Sequence, residues 1–239
     1  MKATGGKALY GASIGILMLD AKFPRIVGEV GNALTWSFPV HYRIVRGASP
    51  ELVVLRGAEG ALESFIDAAR GLVEDGVDGI ATNCGFLSLF QRELAAAVDV
   101  PVASSSLMQV PLAQAMLPPG KRVGVLTISA ETLTPRHLSL AGAPEDTPVA
   151  GVDPAGEFAR VILGNETTLD VAQARRENVE AAERLVRDRP EIGAIVLECT
   201  NMCPYADDIA HATGLPVFSM TSFIEWFQSG LRPRSYPAD

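Results

Sequence analysis

The sequence predicts an α/β fold of two pseudo-symmetric lobes, each a mostly parallel sheet flanked by helices, with an active site between them. Three observations carry this expectation. Short runs of Val, Ile, Leu and Ala alternate with longer helical patterns, as in parallel sheets covered on both faces. A strand ending in a thiol occurs twice, as Gly79-Ile80-Ala81-Thr82-Asn83-Cys84 and as Ala194-Ile195-Val196-Leu197-Glu198-Cys199. The same landmarks follow both: Pro101 and Pro216 each come seventeen residues on, and Ser104 and Ser219 twenty residues on.

In chain order, strands are expected at 14–19, 40–46, 79–82, 100–103, 122–127, 149–152, 193–197 and 215–219. The first, Ile14-Gly15-Ile16-Leu17-Met18, has a counterpart in Val123-Gly124-Val125-Leu126-Thr127, offset by 109 residues, whereas the cysteines are offset by 115. Loop-length changes between duplicated halves account for that difference. The segment 20–39, with Pro24, Gly28, Gly31 and Pro39, reads as a long loop, and loops of that length often close over a site. A helix is expected at 60–75, where Ala61, Leu62, Phe65, Ala68, Ala69 and Leu72 form one stripe. Others are expected at 86–97 and at 168–188, the latter with a charged outer face of Arg175, Arg176, Glu177, Glu180, Glu183 and Arg184. Segment 204–213 opens on Pro204, Asp207 and Asp208, which suit a helix start, and a last helix falls near 221–228. The division is then 1–107 plus 217–239 for one lobe and 108–216 for the other, the chain returning so that its last helix packs on the first lobe.

Composition narrows the classes. With 48% hydrophobic residues and 20% charged, the chain can bury a sizeable core. Net charge is -8, and Lys and Arg are scattered, with only short pairs such as Lys121-Arg122. That is no footprint for nucleic acid, which needs clustered positive charge. Three cysteines leave at least one free thiol and suit a reducing compartment. Lys2, Lys7 and the apolar run from Ala8 to Leu19 loosely imitate a leader, but the run recurs at 123–127 and reads as a core strand. No apolar stretch reaches the ~20 residues that span a bilayer. A cytoplasmic protein with no membrane partner is expected.

Ligands of parallel α/β sheets bind beyond the carboxyl ends of the strands, where Cys84 and Cys199 both fall. Each directly precedes an expected helix, whose N-terminus is expected to lower the thiol pKa and make a base. Asn83, Thr200 and Asn201, with Thr127, Ser129 and Thr132 in the loop after the 122–127 strand, offer hydroxyl and amide donors for a carboxylate ligand. Asp20 either contacts the substrate or is a turn residue. Two thiols from mirrored halves suit proton removal from one face of a carbon and return to the other. Cys203 lacks further Cys or clustered His to complete a metal set and reads as structural. His41, His137 and His211 fall at unrelated places, on a loop edge and on helix surfaces. No Gly-x-Ser-x-Gly elbow is present, and Gly57-Ala58-Glu59-Gly60 is too short for a phosphate loop. Trp36, Phe38, Phe86 and Tyr205 either line an apolar pocket or belong to the core.

At the second cysteine, Glu198-Cys199-Thr200-Asn201-Met202-Cys203-Pro204-Tyr205 resembles the Cys-Thr-(His/Glu)-x-Pro signature of the aspartate/glutamate racemase superfamily. Thr82-Asn83-Cys84-Gly85-Phe86 resembles its Cys-Asn-Thr-Ala motif more loosely. Asn201 replaces the family's His or Glu, and Cys203 its usual proline. Alignment on Asn83 would put Thr82 at the catalytic position, whereas the repeat favours Cys84. A branch of the superfamily with a Thr-Ser-Cys-Gly-Phe-like motif also favours Cys84. That branch includes algal dimethylsulfoniopropionate lyases, whose loop after the first strand resembles Leu19-Asp20 and Phe23-Pro24 here. The resemblance implies a cofactor-independent enzyme, homodimeric or a higher homo-oligomer, with Cys84 and Cys199 as acid/bases on a small carboxylate substrate. The expectation is therefore a racemase or epimerase acting at the α-carbon of an amino-acid-like substrate. A lyase or decarboxylase using one essential cysteine is the alternative, and a non-catalytic two-lobed binding protein a further one.

Overall fold

The computed structural model describes residues 3–236. Positions 1, 2 and 237–239, counted in the first lobe above, and Lys2 of the leader-like segment lie outside the described residues. The first sheet is formed by β1 (Ile14–Leu19), β2 (Val40–Val45), β3 (Gly79–Thr82) and β4 (Val102–Ala103), in the order β2-β1-β3-β4. The second, from β5 (Arg122–Thr127), β6 (Val149–Gly151), β7 (Ile192–Leu197) and β8 (Val217–Phe218), repeats that order as β6-β5-β7-β8. All pairings are parallel. The α/β fold with two parallel sheets flanked by helices is as expected.

The helices follow from their apolar spacing. In α1 (Leu62–Asp75), Phe65, Ile66, Ala69 and Leu72 are buried, and Gly76 ends the helix at φ +104°, a left-handed conformation that glycine adopts without a Cβ penalty. The region after Cys84 begins as a 3-10 turn, Gly85–Phe90, and continues as α2 (Gln91–Ala97). The region after Cys199 repeats this as a 3-10 turn, Thr200–Tyr205, and α7 (Ala206–Thr213). Pro204 thus lies inside the tighter turn, not at the helix start.

Three short helices, α3 (Val110–Met116), α4 (Pro135–Leu140) and α5 (Glu157–Leu163), come in addition to those expected. With two turns or fewer, they are too short for their apolar period to register. Long α6 (Val171–Asp188) buries Ala174, Ala181, Ala182 and Leu185. Glu177, read as part of its charged outer face, is instead buried, accepting the Glu157 and Phe158 N–H groups at 2.9 and 2.8 Å. It serves the amino end of α5, where unpaired N–H groups favour a carboxylate.

β1 is buried along its whole length and divides the first lobe's core. Leu17 and Leu19 belong to the same buried cluster as Phe65, Ala69 and Leu72 of α1. Ile14, Ile16 and Met18 face Val30 and Trp36 of the 20–39 loop and Met220, Phe223 and Ile224 of α8 (Met220–Leu231). The chain therefore crosses back after β8, and a Cβ on Gly79 would strike Phe227 and Leu231. Among the described residues, no helix is long and apolar enough to cross a membrane.

Candidate active site

The two β–thiol–turn units converge. Asn83, Cys84, Gly85 and Phe86 from the first lobe and Cys199, Thr200 and Asn201 from the second line one cavity, with Leu19, Phe23, Pro50, Val54, Ile128, Ile162 and Glu198 completing its wall. The space open to the centre of a water is about 20 Å³, room for one or two water molecules. Both cysteines are buried and unbridged. Thr82 is no competitor for Cys84: its hydroxyl donates to the Ser104 and Cys84 carbonyls at 2.6 and 3.1 Å, behind the cavity wall.

Cross-lobe hydrogen bonds hold the units together. Thr200 Oγ1 donates to Asn83 O at 2.6 Å, and Ser106 Oγ donates to Leu197 O at 2.7 Å. Asn83 Oδ1 accepts the Leu19 N–H at 2.8 Å, which leaves its amide nitrogen for a ligand. Asn201 Nδ2 lies 3.6 Å from Cys199 Sγ. On the far side of the first turn, His137 meets Phe86 edge-on at 5.1 Å. His137, read as a helix-surface residue, is buried in the cap of α4, and burial lowers its pKa to about 4.

The remaining candidates lie elsewhere. Asp20 Oδ2 accepts the Gly47 N–H at 3.2 Å and its carboxylate pairs with Arg46, so it is a turn residue at the surface. Ser129 and Thr132 bond each other at 2.8 Å, away from the cavity. Thr127 reaches the site indirectly, donating to Glu198 Oε2 at 2.5 Å. Of the aromatics, Phe86 lines the cavity; Trp36 and Phe38 pack on each other, and Tyr205 is core. Cys203 packs with Met220 and Trp36 in the core beside α8.

Glu198, which sequence motifs alone did not single out, is fully buried and lines the same cavity as both thiols. Burial pushes its pKa up to about 8, with the Thr127 hydrogen bond pulling the other way. The thiols are not acidified as expected. Burial raises both, a negative charge on Glu198 raises them further, and the N–H groups of Phe86 and Leu87 on Cys84, or of Asn201 on Cys199, offset this only in part. The reason is that desolvation of a thiolate in a dry wall outweighs a short 3-10 terminus. Arg25 in the 20–39 loop also favours the Cys84 thiolate. Its Nη1 donates to buried Glu29 at 2.6 Å, and its guanidinium lies 4.7 Å from the Phe23 ring centroid. Among the described residues, no group of three or more His, Cys, Asp or Glu side chains could hold a metal ion.

Comparison with known proteins places this geometry. Residues 66–224 match the family Asp/Glu/hydantoin racemase. The dimethylsulfoniopropionate lyase of Durusdinium sp. clade D is 30% identical over 227 residues, covering 92% of this chain and 75% of that protein. Dimethylsulfoniopropionate lyase 6 of Emiliania huxleyi is 31% identical over 217 residues, covering 86% of this chain and 56% of that protein. The chain thus spans little more than half the length of some of the curated relatives it matches. A liganded mutant of arylmalonate decarboxylase shares the fold at a TM-score of 0.65 and 18% identity, with 95% of each chain covered. The chain belongs to the Asp/Glu/hydantoin racemase family and is an enzyme of that superfamily. Within it, the expectation of an amino-acid racemase is overturned: relatives 28–31% identical over most of the chain are named dimethylsulfoniopropionate lyases. The expectation rested on the paired thiols, and two thiols at one cavity do not dictate whether a proton is returned.

Proposed function

We propose that this enzyme is a lyase that splits dimethylsulfoniopropionate, or a close sulfonium analogue, into acrylate and dimethyl sulfide. The observation that carries the reading is 30% identity to a dimethylsulfoniopropionate lyase across 92% of the chain. The site chemistry supports it. In the reaction, the Cys84 thiolate takes the proton from the carbon next to the carboxylate. The C–H electron pair forms the Cα–Cβ double bond while the Cβ–S bond breaks, its electrons leaving on sulfur as neutral dimethyl sulfide. The proton held on Cys84 then passes to solvent. One base is enough, because no second face needs protonation.

The substrate's own charge answers the raised thiol pKa. None of the cavity residues is Lys, Arg or His, and Phe23 and Phe86 form aromatic wall. A sulfonium cation is attracted to aromatic faces, and its arrival beside the thiol offsets the cost of making the thiolate. Cys84 is favoured as base because two backbone N–H groups and Arg25 act on it. The cavity is smaller than the substrate, so the 20–39 loop that contributes Phe23 parts for entry and closes afterwards. Measuring dimethyl sulfide release by Cys84→Ser tests the assignment. A fall in kcat of at least about 100-fold, the lower end of what a positioned base contributes, is expected; an unchanged kcat would remove Cys84 from the role.

A further inference from the structure

We propose that Glu198 is a further substrate-binding residue of this site, a neutral buried acid whose Oε1 donates a hydrogen bond to the substrate carboxylate. The lyase reading supplies the identity of the substrate; the inference itself needs only that the ligand carries a carboxylate. Glu198 has no solvent exposure and lines the cavity. Its Oε2 accepts the Thr127 hydroxyl at 2.5 Å, while its Oε1, equally buried, has no partner. A buried polar atom without a partner costs free energy, and one at a cavity wall recovers it when a ligand supplies the missing group.

The opposite lobe is shaped around this carboxyl. A Cβ on Gly85, the residue after Cys84, would collide with Glu198 Oε1 and with its backbone oxygen. The donors otherwise within the wall are few. The Asn83 amide nitrogen is free, the Asn201 amide nitrogen is turned to Cys199 Sγ at 3.6 Å, and the Thr200 hydroxyl is committed to Asn83 O. Arg25 has one nitrogen on Glu29 and is not part of the wall. A carboxylate entering a wall without a cation needs an uncharged donor, and a protonated acid is one. The same device stabilises charge that develops on the carboxylate as the α-proton leaves.

The protonation state agrees. Burial holds the Glu198 pKa at about 8, so the acid keeps its proton at neutrality and loses it above. The groups facing it are Cys84 from the first turn, Cys199 beside it in the chain and uncharged Thr127 from β5. Arg25 acts on Cys84 from the loop, and His137, against Phe86, is kept neutral at this pH by its lowered pKa. Both thiols titrate far above 8, so a transition near 8 belongs to Glu198. Above it, carboxylate meets carboxylate and binding weakens.

The experiment is calorimetric titration of propionate into the full chain from pH 6 to 9, with dimethyl sulfide release followed in parallel, for wild type and Glu198→Gln. For wild type, the propionate Kd is expected to be flat below about 8 and to rise towards about tenfold per pH unit above it. Glu198→Gln keeps an N–H donor of similar shape and cannot ionise; it is expected to bind propionate within about tenfold of wild type at pH 7 and to show no weakening up to pH 9. Wild-type binding without a transition near 8, or a folded Glu198→Gln protein with the wild-type profile, would overturn the proposal. If wild type binds propionate as described but releases no dimethyl sulfide, the lyase reading fails and the role of Glu198 stands.

Discussion

Gly85 is where the two motifs touch, and it shows how closely one residue of the first lobe is fitted to the second. The atoms a Cβ would meet include the backbone oxygen of Glu198, which cannot swing aside as a flexible side chain could. Gly85→Ala is therefore expected to lower stability by about 1–3 kcal/mol, the usual cost of overpacking, and to lower kcat more than the loss of stability explains. Denaturant unfolding and dimethyl sulfide release together check this. The thiols themselves were legible in the sequence, because two strand-end cysteines with matched downstream prolines stand out of a single chain. Glu198 was not. Its burial is decided by Gly85 and Thr127, which come from segments distant in sequence, and nothing in the Glu-Cys dipeptide announces either neighbour. Asp20, Ser129 and Thr132 were suggested by their polar chemistry beyond strand ends; each bonds another partner and none lines the cavity.

At the scale of elements, the 20–39 loop has a framework of its own. Glu29 is buried, takes Arg25 on one oxygen and the Gly31 N–H on the other, and its backbone oxygen accepts the Thr35 hydroxyl. Gly28, at φ +99°, packs so closely on Pro204 that a Cβ would lie 3.1 Å from its Cα, which ties the loop to the second cysteine's turn. Removing one member of a buried ion pair leaves the other charge uncompensated, at a cost of about 3–5 kcal/mol. Glu29→Ala is expected to lose stability of that order in chemical denaturation and to raise KM, since Phe23 and Arg25 share the loop. Strands were the most legible elements: buried parallel strands are written as unbroken apolar runs. The short helices α3, α4 and α5 were not legible, because their ends are fixed by capping and by tertiary partners such as Glu177 more than by periodicity.

Across the whole molecule, the repeat written in the sequence is the repeat of the fold. Two sheets with the same strand order bring two thiols to one cavity, and α8 returns from the second sheet to cover the first. The fold and the meeting of both thiols at one cavity follow from that repeat. The reaction does not, because the wall around the thiols decides it. Here the wall joins apolar and aromatic side chains to two thiols, the polar Asn83, Thr200 and Asn201, one buried acid and no cation, which suits the zwitterion proposed as substrate. The decisive measurement offers the wild-type protein dimethylsulfoniopropionate and, in parallel, L-aspartate and L-glutamate in heavy water. Dimethyl sulfide and acrylate are expected in one-to-one yield, with no deuterium at the α-carbon of either amino acid. Deuterium uptake into an amino acid, with no dimethyl sulfide formed, would contradict the lyase reading.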